Sequence, residues 1–161
     1  FMPSRKVYLY AAMVKKDTFE WIAEKATELG VTHIIPVMAE RSEKKNINEA
    51  RLEKIVVEAS EQSGRGSVPV IASMVSLKEG IEIGDSNIRR IAFHTEGKNF
   101  SASEIEKDQD IAIFIGPEGG WSPDEVALFH TNDIPVVCLG TQVLRAETAV
   151  VAALSVVMLG E

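Results

Sequence analysis

The feature that most constrains the fold is the segment from Asp110 to Ile115, which reads DIAIFI and is apolar at every position after the aspartate. A strand with one face in water alternates apolar and polar residues, whereas a strand covered on both faces is a continuous run rich in β-branched residues. The run is of the second kind. We therefore expect it to be a strand of a parallel sheet that carries helices on both faces.

Further strands and amphipathic helices alternate around this run. In the segment 17–29 the apolar residues Phe19, Ile22, Ala23 and Ala26 recur at the spacing of one helix face. Asp17 or Thr18 is expected to cap that helix and Gly30 to end it. Ser122, Pro123 and Glu125 form the clearest helix start, a capping box with proline at the first helical position. The predicted strands are 6–12, 31–38, 68–72, 91–94, 110–115 and 134–139; the predicted helices are 17–29, 48–63, 77–81, 122–132 and 147–159.

This alternation predicts an α/β fold in which a mostly parallel sheet is flanked by helices. A length of 161 residues fits one domain. The single cysteine, Cys138, excludes an internal disulfide framework, and its apolar surroundings indicate a buried structural thiol. The apolar segment 149–159 is too short to span a membrane. We expect a cytoplasmic protein.

The net charge of −7, from 17 Lys and Arg against 24 Asp and Glu, argues against a general nucleic-acid coat. The negative net charge does not exclude local basic patches. Arg41 lies close to Lys44 and Lys45, Arg89 is followed by Arg90, and Arg65 stands between two glycines. For the clustered cations we favour an ordinary solvated surface.

Unusual loops follow three of the predicted strands, where open α/β sheets bind their ligands. They are HTEG at 94–97, GPEGG at 116–120 and LGTQVLRAET at 139–148. A glycine-rich turn alone indicates only a tight turn. GPEGG lacks the glycine spacing of a dinucleotide site and the lysine of a P-loop, and the three histidines are scattered, so no metal site is predicted.

The third loop leads into a helix that is apolar on nearly all sides. Such a helix must be covered all round, either deep inside the domain or by a partner subunit. We favour the subunit interface.

Two of these motifs together carry a resemblance. The combination of IGPEGGWSPDE with LGTQVLRAETA, supported by the segments 24–30 and 61–65, closely resembles the RsmE family of 16S rRNA uridine-N3 methyltransferases, within the SPOUT superfamily. The resemblance implies a SPOUT-type domain over residues 1–161 with a C-terminal trefoil knot, S-adenosyl-L-methionine as cofactor, a homodimer, and 16S rRNA of the small ribosomal subunit as partner. That family usually carries an N-terminal PUA-like domain, and we expect none within these 161 residues.

The resemblance also assigns residues. It places cofactor binding on the three loops, at Thr95, Glu96, Gly116, Glu118, Gly119, Gly120, Leu139, Gly140, Val143, Leu144 and Arg145. Arg145 is the main catalytic candidate because a planar guanidinium suits the negative charge that develops on uridine oxygens. Glu118 and Glu147 are candidates for the base, and Arg65 and Arg41 for RNA binding. Two alternatives stay open: an inactive RNA-binding or assembly module of the same fold, and a nucleotide-binding α/β enzyme.

Overall fold

A computed structural model describes residues 2–43 and 46–159, and it contains one seven-stranded sheet. The strand order is β3-β2-β1-β6-β5-β7, with β4 also paired to β2, and every strand pair in these ranges is parallel. The strands are β1 Val7–Ala12, β2 His33–Met38, β3 Val70–Ile71, β4 Val75–Ser76, β5 Arg89–Asn99, β6 Ile111–Ile115 and β7 Val136–Cys138. The helices are α1 Lys16–Glu28, α2 Glu49–Gln62, α3 Leu77–Glu82, α4 Pro123–Thr131 and α5 Ala146–Leu159.

The strand β6 lies between β1 and β5, and each of its five residues is buried. Its residues alternate between two apolar cores, one on each face of the sheet. Ile113 belongs to the core that α1, α2 and α5 cover, and Phe114 to the core that α3 and α4 cover. The prediction of a two-sided parallel α/β sheet is confirmed.

Most predicted helix ends are confirmed. Ser122 and Glu125 form the expected capping box, with Pro123 in the first turn. The prediction for the start of α1 is wrong: the N-cap is Lys15, and its side chain makes no capping hydrogen bond within the described part of the chain. Asp17 instead lies in the first turn, where its negative charge interacts favourably with the positive end of the helix dipole.

Three strand predictions need correction. The predicted strand 68–72 is reduced to the two residues of β3, beside Pro69, which offers no N–H to a strand ladder. The last strand shortens from 134–139 to the three residues of β7. The fourth predicted strand, 91–94, continues beyond its predicted end, because β5 reaches Asn99.

The extension of β5 contains a bulge. Phe93 and Lys98 both lie opposite Val137, so the four intervening residues are pushed out of the ladder. Gly97 makes this possible: its φ is 151°, and an added Cβ would lie only 2.7 Å from the carbonyl oxygen of Val136. The predicted HTEG loop at 94–97 is thus part of a bulged strand rather than the loop that follows one.

Helix α5 packs one side against α1 and β6, through buried residues that include Val150 and Leu154. Other apolar residues of the helix are only half-buried, and Leu159 is 70% exposed. Within residues 2–43 and 46–159, no helix is both long enough and apolar enough to cross a membrane. The trefoil knot stays a prediction. Lys44 and Lys45, for which a solvated surface is favoured over a basic patch, lie outside the described residues.

Candidate functional site

A cleft of about 270 Å³ lies at the carboxyl edge of the sheet, where β6 and β7 end and β5 is bulged. The bulge of β5, the GPEGG loop (residues 116–120) and the LGTQVLR loop (residues 139–145) form its walls. Of the predicted cofactor-binding residues, the structure brings nine into the lining: Thr95, Gly116, Glu118, Gly119, Gly120, Leu139, Gly140, Val143 and Leu144.

The GPEGG loop is packed from beneath by Trp121. This side chain is 1% exposed, and its Nε1 donates a hydrogen bond of 3.1 Å to the carbonyl oxygen of Phe93. Gly116 fits closely over the indole, because an added Cβ would lie 3.2 Å from Trp121 Cε2. At the other end of the loop, the amide of Gly120 donates to the carbonyl oxygen of Pro117 at 2.8 Å. The loop therefore has a fixed shape within the protomer.

The LGTQVLR loop is more open. Gly140 has a φ of 126°, a conformation that favours glycine, and an added Cβ there would meet no described atom within 4 Å. Val143 is 78% exposed although it lines the cleft, and Leu144 is half-buried. Apolar side chains that face a cleft at a strand end are typical of a small-molecule site.

The bulge of β5 forms the third wall. Thr95 lines the cleft, and the ring of His94 lies beside the GPEGG loop, with Cε1 3.3 Å from the Cβ position of Gly120. Glu96 does not line this cleft. It lies in a neighbouring groove with Arg41 and His130, so its contact with a cofactor stays a prediction.

The catalytic candidates are distributed around the cleft. Glu118 is exposed in its lining. Arg145 is also exposed and lies just outside the lining, where its carbonyl oxygen accepts the amide of Ala149 at the start of α5. Glu147 is half-buried, and its Oε2 is buried without a hydrogen-bond partner among the described residues. Their catalytic roles stay predictions.

The two arginines predicted to bind RNA lie at different edges of the sheet. Arg41 follows β2 at the carboxyl edge and is exposed. Arg65 lies at the opposite edge, where its Nη1 donates to the carbonyl oxygens of Thr27 and Val31 at 2.7 and 2.8 Å. Burial lowers the pKa of the Arg65 guanidinium. The structure therefore does not bring Arg65 to the cleft of its own protomer, and RNA binding by both arginines stays a prediction.

Sequence reasoning missed eight residues of the lining: Phe93, His94, Ile115, Pro117, Cys138, Gln142, Ala146 and Ala149. Most of them adjoin a predicted site residue, so the rule that ligands bind beyond strand ends had already indicated where they lie. Phe93 and Cys138 are core residues of their strands by pattern. The prediction that Cys138 is a buried thiol is confirmed, and it also lines the cleft.

The lining suits a nucleoside joined to an amino acid. Leu139, Val143 and Leu144 offer apolar surface for a flat ring, while the glycine backbones of both loops offer hydrogen-bond donors and acceptors. Open space at Gly140 and the exposed carboxylate of Glu118 leave room for a polar, positively charged group. The residues present fit S-adenosylmethionine.

Comparison with known proteins agrees with this geometry. The fold and cleft define a parallel α/β domain with a cleft formed by two strand ends and the bulge of a third strand. Residues 2–158 match the family model described as RNA methyltransferase domain, so the chain belongs to the RNA methyltransferase family. The parallel sheet and the likeness to solved methyltransferase structures confirm the predicted SPOUT-type fold class.

Two similar proteins are both named ribosomal RNA small subunit methyltransferase E. The chain is 35% identical to the one from Bacillus subtilis, in a match that covers 94% of this chain and 65% of that protein. It is 32% identical to the one from Rickettsia conorii over 154 residues, or 94% of this chain and 63% of that protein. The chain thus spans a little under two thirds of the length of these two relatives.

A solved structure shares the architecture closely. The ribosomal RNA small subunit methyltransferase E from Neisseria gonorrhoeae, bound to S-adenosyl methionine, superposes with a TM-score of 0.87 at 30% identity. That match covers 94% of this chain and 64% of the other.

Proposed function

We propose that this chain is the cofactor-binding, catalytic domain of an S-adenosylmethionine-dependent methyltransferase that acts on N3 of a uridine in 16S rRNA. The observation that carries the proposal is the cleft that the GPEGG and LGTQVLR loops form at the carboxyl edge of the sheet. Nine predicted cofactor-binding residues line this cleft, in a chain that is similar to a protein solved with S-adenosyl methionine bound.

The chain's own residues would bring the uridine N3 to the cofactor and manage its proton. When bound, S-adenosylmethionine supplies an electrophilic methyl group, so the difficult chemistry belongs to the cofactor. As N3 loses its proton, negative charge spreads to O2 and O4 of the uracil ring. The exposed guanidinium of Arg145, beside the cleft, is suited to stabilise that charge. Glu118 and Glu147 are the candidates for accepting the proton.

The target base must be accessible for this reaction. N3 is paired inside a duplex, so the uridine has to be unpaired or turned out of its stack. Because the substrate is RNA of the small ribosomal subunit, we place the protein in the cytoplasm. Arg41, exposed at the carboxyl edge beside the cleft, is the nearer of the two predicted RNA contacts.

We also propose a homodimer built on α5. The helix leaves Val151, Ala152 and Val156 only half-buried and Leu159 70% exposed, and Glu147 Oε2 has no partner among the described residues. A second copy would cover the apolar residues and could supply a donor to Glu147. Sedimentation equilibrium at micromolar concentration should give twice the monomer mass; a monomer mass throughout would refute the dimer.

Calorimetry with S-adenosylmethionine tests the site. Gly140→Leu should abolish binding, because the side chain would enter the cleft and the φ of 126° disfavours any residue except glycine. Gly64→Leu is the matched control. Gly64 also has a positive φ, 66°, and open space around its Cβ position, but it lies after α2, away from the cleft.

The expected result is loss of affinity in Gly140→Leu alone, with both variants folded. Unchanged affinity in Gly140→Leu would show that the cofactor binds elsewhere. Methyl transfer to small ribosomal subunits then separates an active enzyme from an inactive RNA-binding module of the same fold, which would bind cofactor without turnover.

A further inference from the structure

The turn that follows β2 is tied to the segment that forms the cleft. Arg41 Nη1 donates a hydrogen bond of 2.7 Å to the carbonyl oxygen of Gly119, in the GPEGG loop. Next to it, the amide of Glu40 donates to Glu125 Oε2 at 3.3 Å, while Oε1 of the same carboxylate accepts the amide of Ser122 at 2.9 Å. The turn therefore contacts both the cleft loop, 78 residues later in the chain, and the start of α4, 85 residues later.

The Arg41 stem also packs closely against position 119. A Cβ added to Gly119 would lie 3.2 Å from Cδ of Arg41, tighter than ordinary van der Waals contact, and 3.4 Å from its Cβ. The arginine thus packs over the backbone of the GPEGG loop and at the same time bonds to its carbonyl oxygen.

The peptide group between Gly119 and Gly120 is consequently held at both of its polar atoms. Its carbonyl oxygen accepts from Arg41 at 2.7 Å, and its N–H donates to the carbonyl oxygen of Pro117 at 2.8 Å. Because a peptide group is planar, two bonds on opposite sides fix its orientation. Both glycines line the cleft, so this orientation sets the backbone surface that a ligand meets.

Arg41 lies in a backbone turn that several hydrogen bonds hold in place. The amide of Ala39 donates to Ser42 Oγ at 3.0 Å, the amide of Ser42 donates to the carbonyl oxygen of Ala39 at 3.2 Å, and the amide of Glu43 donates to the carbonyl oxygen of Met13 at 3.2 Å. A long side chain loses entropy when it is held in one place, and a braced backbone reduces the further cost of holding its tip.

We propose that Arg41 is a positioning residue for the cofactor cleft: it orients the Gly119–Gly120 peptide before the ligand arrives. The inference rests on the proposed function, since it takes S-adenosylmethionine as the ligand. It differs from RNA binding by Arg41, because a phosphate contact would change affinity for RNA and leave cofactor affinity in the absence of RNA unchanged. Without the arginine, binding would have to order this part of the loop, and affinity would fall.

Calorimetry with S-adenosylmethionine, in the absence of RNA, tests the inference with three variants. Arg41→Met keeps most of the apolar stem and removes the donor, and it should weaken binding about fivefold, the worth of one typical hydrogen bond. Arg41→Lys retains one donor and should give an intermediate Kd. Arg51→Met is the matched control: Arg51 is an exposed arginine on α2 that pairs with Glu20 at 3.4 Å, and its loss should leave the Kd unchanged.

Two further readouts separate positioning from a purely structural role. In methyl transfer, Arg41→Met should raise KM for S-adenosylmethionine more than it lowers kcat, and its Tm should stay close to that of the parent. Equal cofactor affinity in Arg41→Met and the parent would overturn the inference, as would a lower Tm with an unchanged Kd in Arg41→Lys. Failure of the parent protein itself to bind S-adenosylmethionine would instead overturn the proposed function, and this inference with it.

Discussion

The two glycine-containing loops of the cleft differ in what holds them. The GPEGG loop lies over the buried Trp121, its Gly120 amide bonds to Pro117, and Arg41 bonds to its Gly119 carbonyl oxygen. In the LGTQVLR loop, Val143 is 78% exposed and Gly140 has open space around it. The GPEGG wall of the cleft is thus held in place by contacts within the protomer. The LGTQVLR wall instead leaves apolar surface exposed, which a ligand or a partner subunit would cover.

This difference follows from what each loop connects. The GPEGG loop runs from the central strand β6 to the capped start of α4, so packing on both sides fixes its ends. The LGTQVLR loop runs from the three-residue β7, at the edge of the sheet, to α5. A segment with few buried contacts opens at low cost in free energy. Removing the buried side chain beneath the first loop should therefore affect stability, whereas substitutions of exposed residues in the second loop should affect binding and turnover.

The largest expected effect is on stability, for Trp121→Ala. Removing this buried ring leaves a cavity beneath the GPEGG loop and breaks the bond to Phe93, so the free energy of unfolding should fall by about 3–5 kcal/mol. The matched control is Trp21→Ala on α1, where the side chain is 42% exposed and the loss should be much smaller. Urea denaturation measures both variants. Equal losses would mean that Trp121 does not anchor the loop.

The next effect concerns Arg145, at the end of the LGTQVLR loop. Arg145→Lys keeps the charge but loses the planar pair of donors, so methyl transfer should slow on the order of 100-fold. Affinity for S-adenosylmethionine and Tm should hardly change, because the side chain is exposed. Arg51→Lys on α2 serves as the control, with turnover near that of the parent. Near-native turnover of Arg145→Lys together with a lower Tm would make Arg145 a structural residue.

The smallest effect concerns Val143. Val143→Ala removes apolar surface that only a ligand or partner would bury, so cofactor affinity should fall about five- to tenfold. The free energy of unfolding should stay within about 0.5 kcal/mol of the parent value, since the side chain is 78% exposed. Val68→Ala, at another exposed valine away from the cleft, should change neither quantity. A destabilised Val143→Ala with unchanged affinity would remove the contrast between the loops.

Local signals in the sequence were enough for most elements and for the location of the site. The apolar run that became β6 and the capping box at Ser122 depend on neighbouring residues alone, and both predictions are confirmed. Because parallel strands end at a common edge, the order of elements already placed the GPEGG and LGTQVLR loops near each other. The identity of the cofactor and the roles of the site residues were predicted from the family resemblance, because the spacing of apolar residues carries no information about either.

Only the tertiary structure decided contacts between segments that are distant along the chain. The bulge of β5 depends on its register with β7, and the orientation of Gly119 depends on Arg41, which is 78 positions earlier. Arg65 shows the same limit: its sequence surroundings allowed RNA binding, while the fold directs its Nη1 to the carbonyl oxygens of Thr27 and Val31. A side chain's charge and shape are fixed by its type, but its partner is whichever group the packed elements bring within hydrogen-bonding distance.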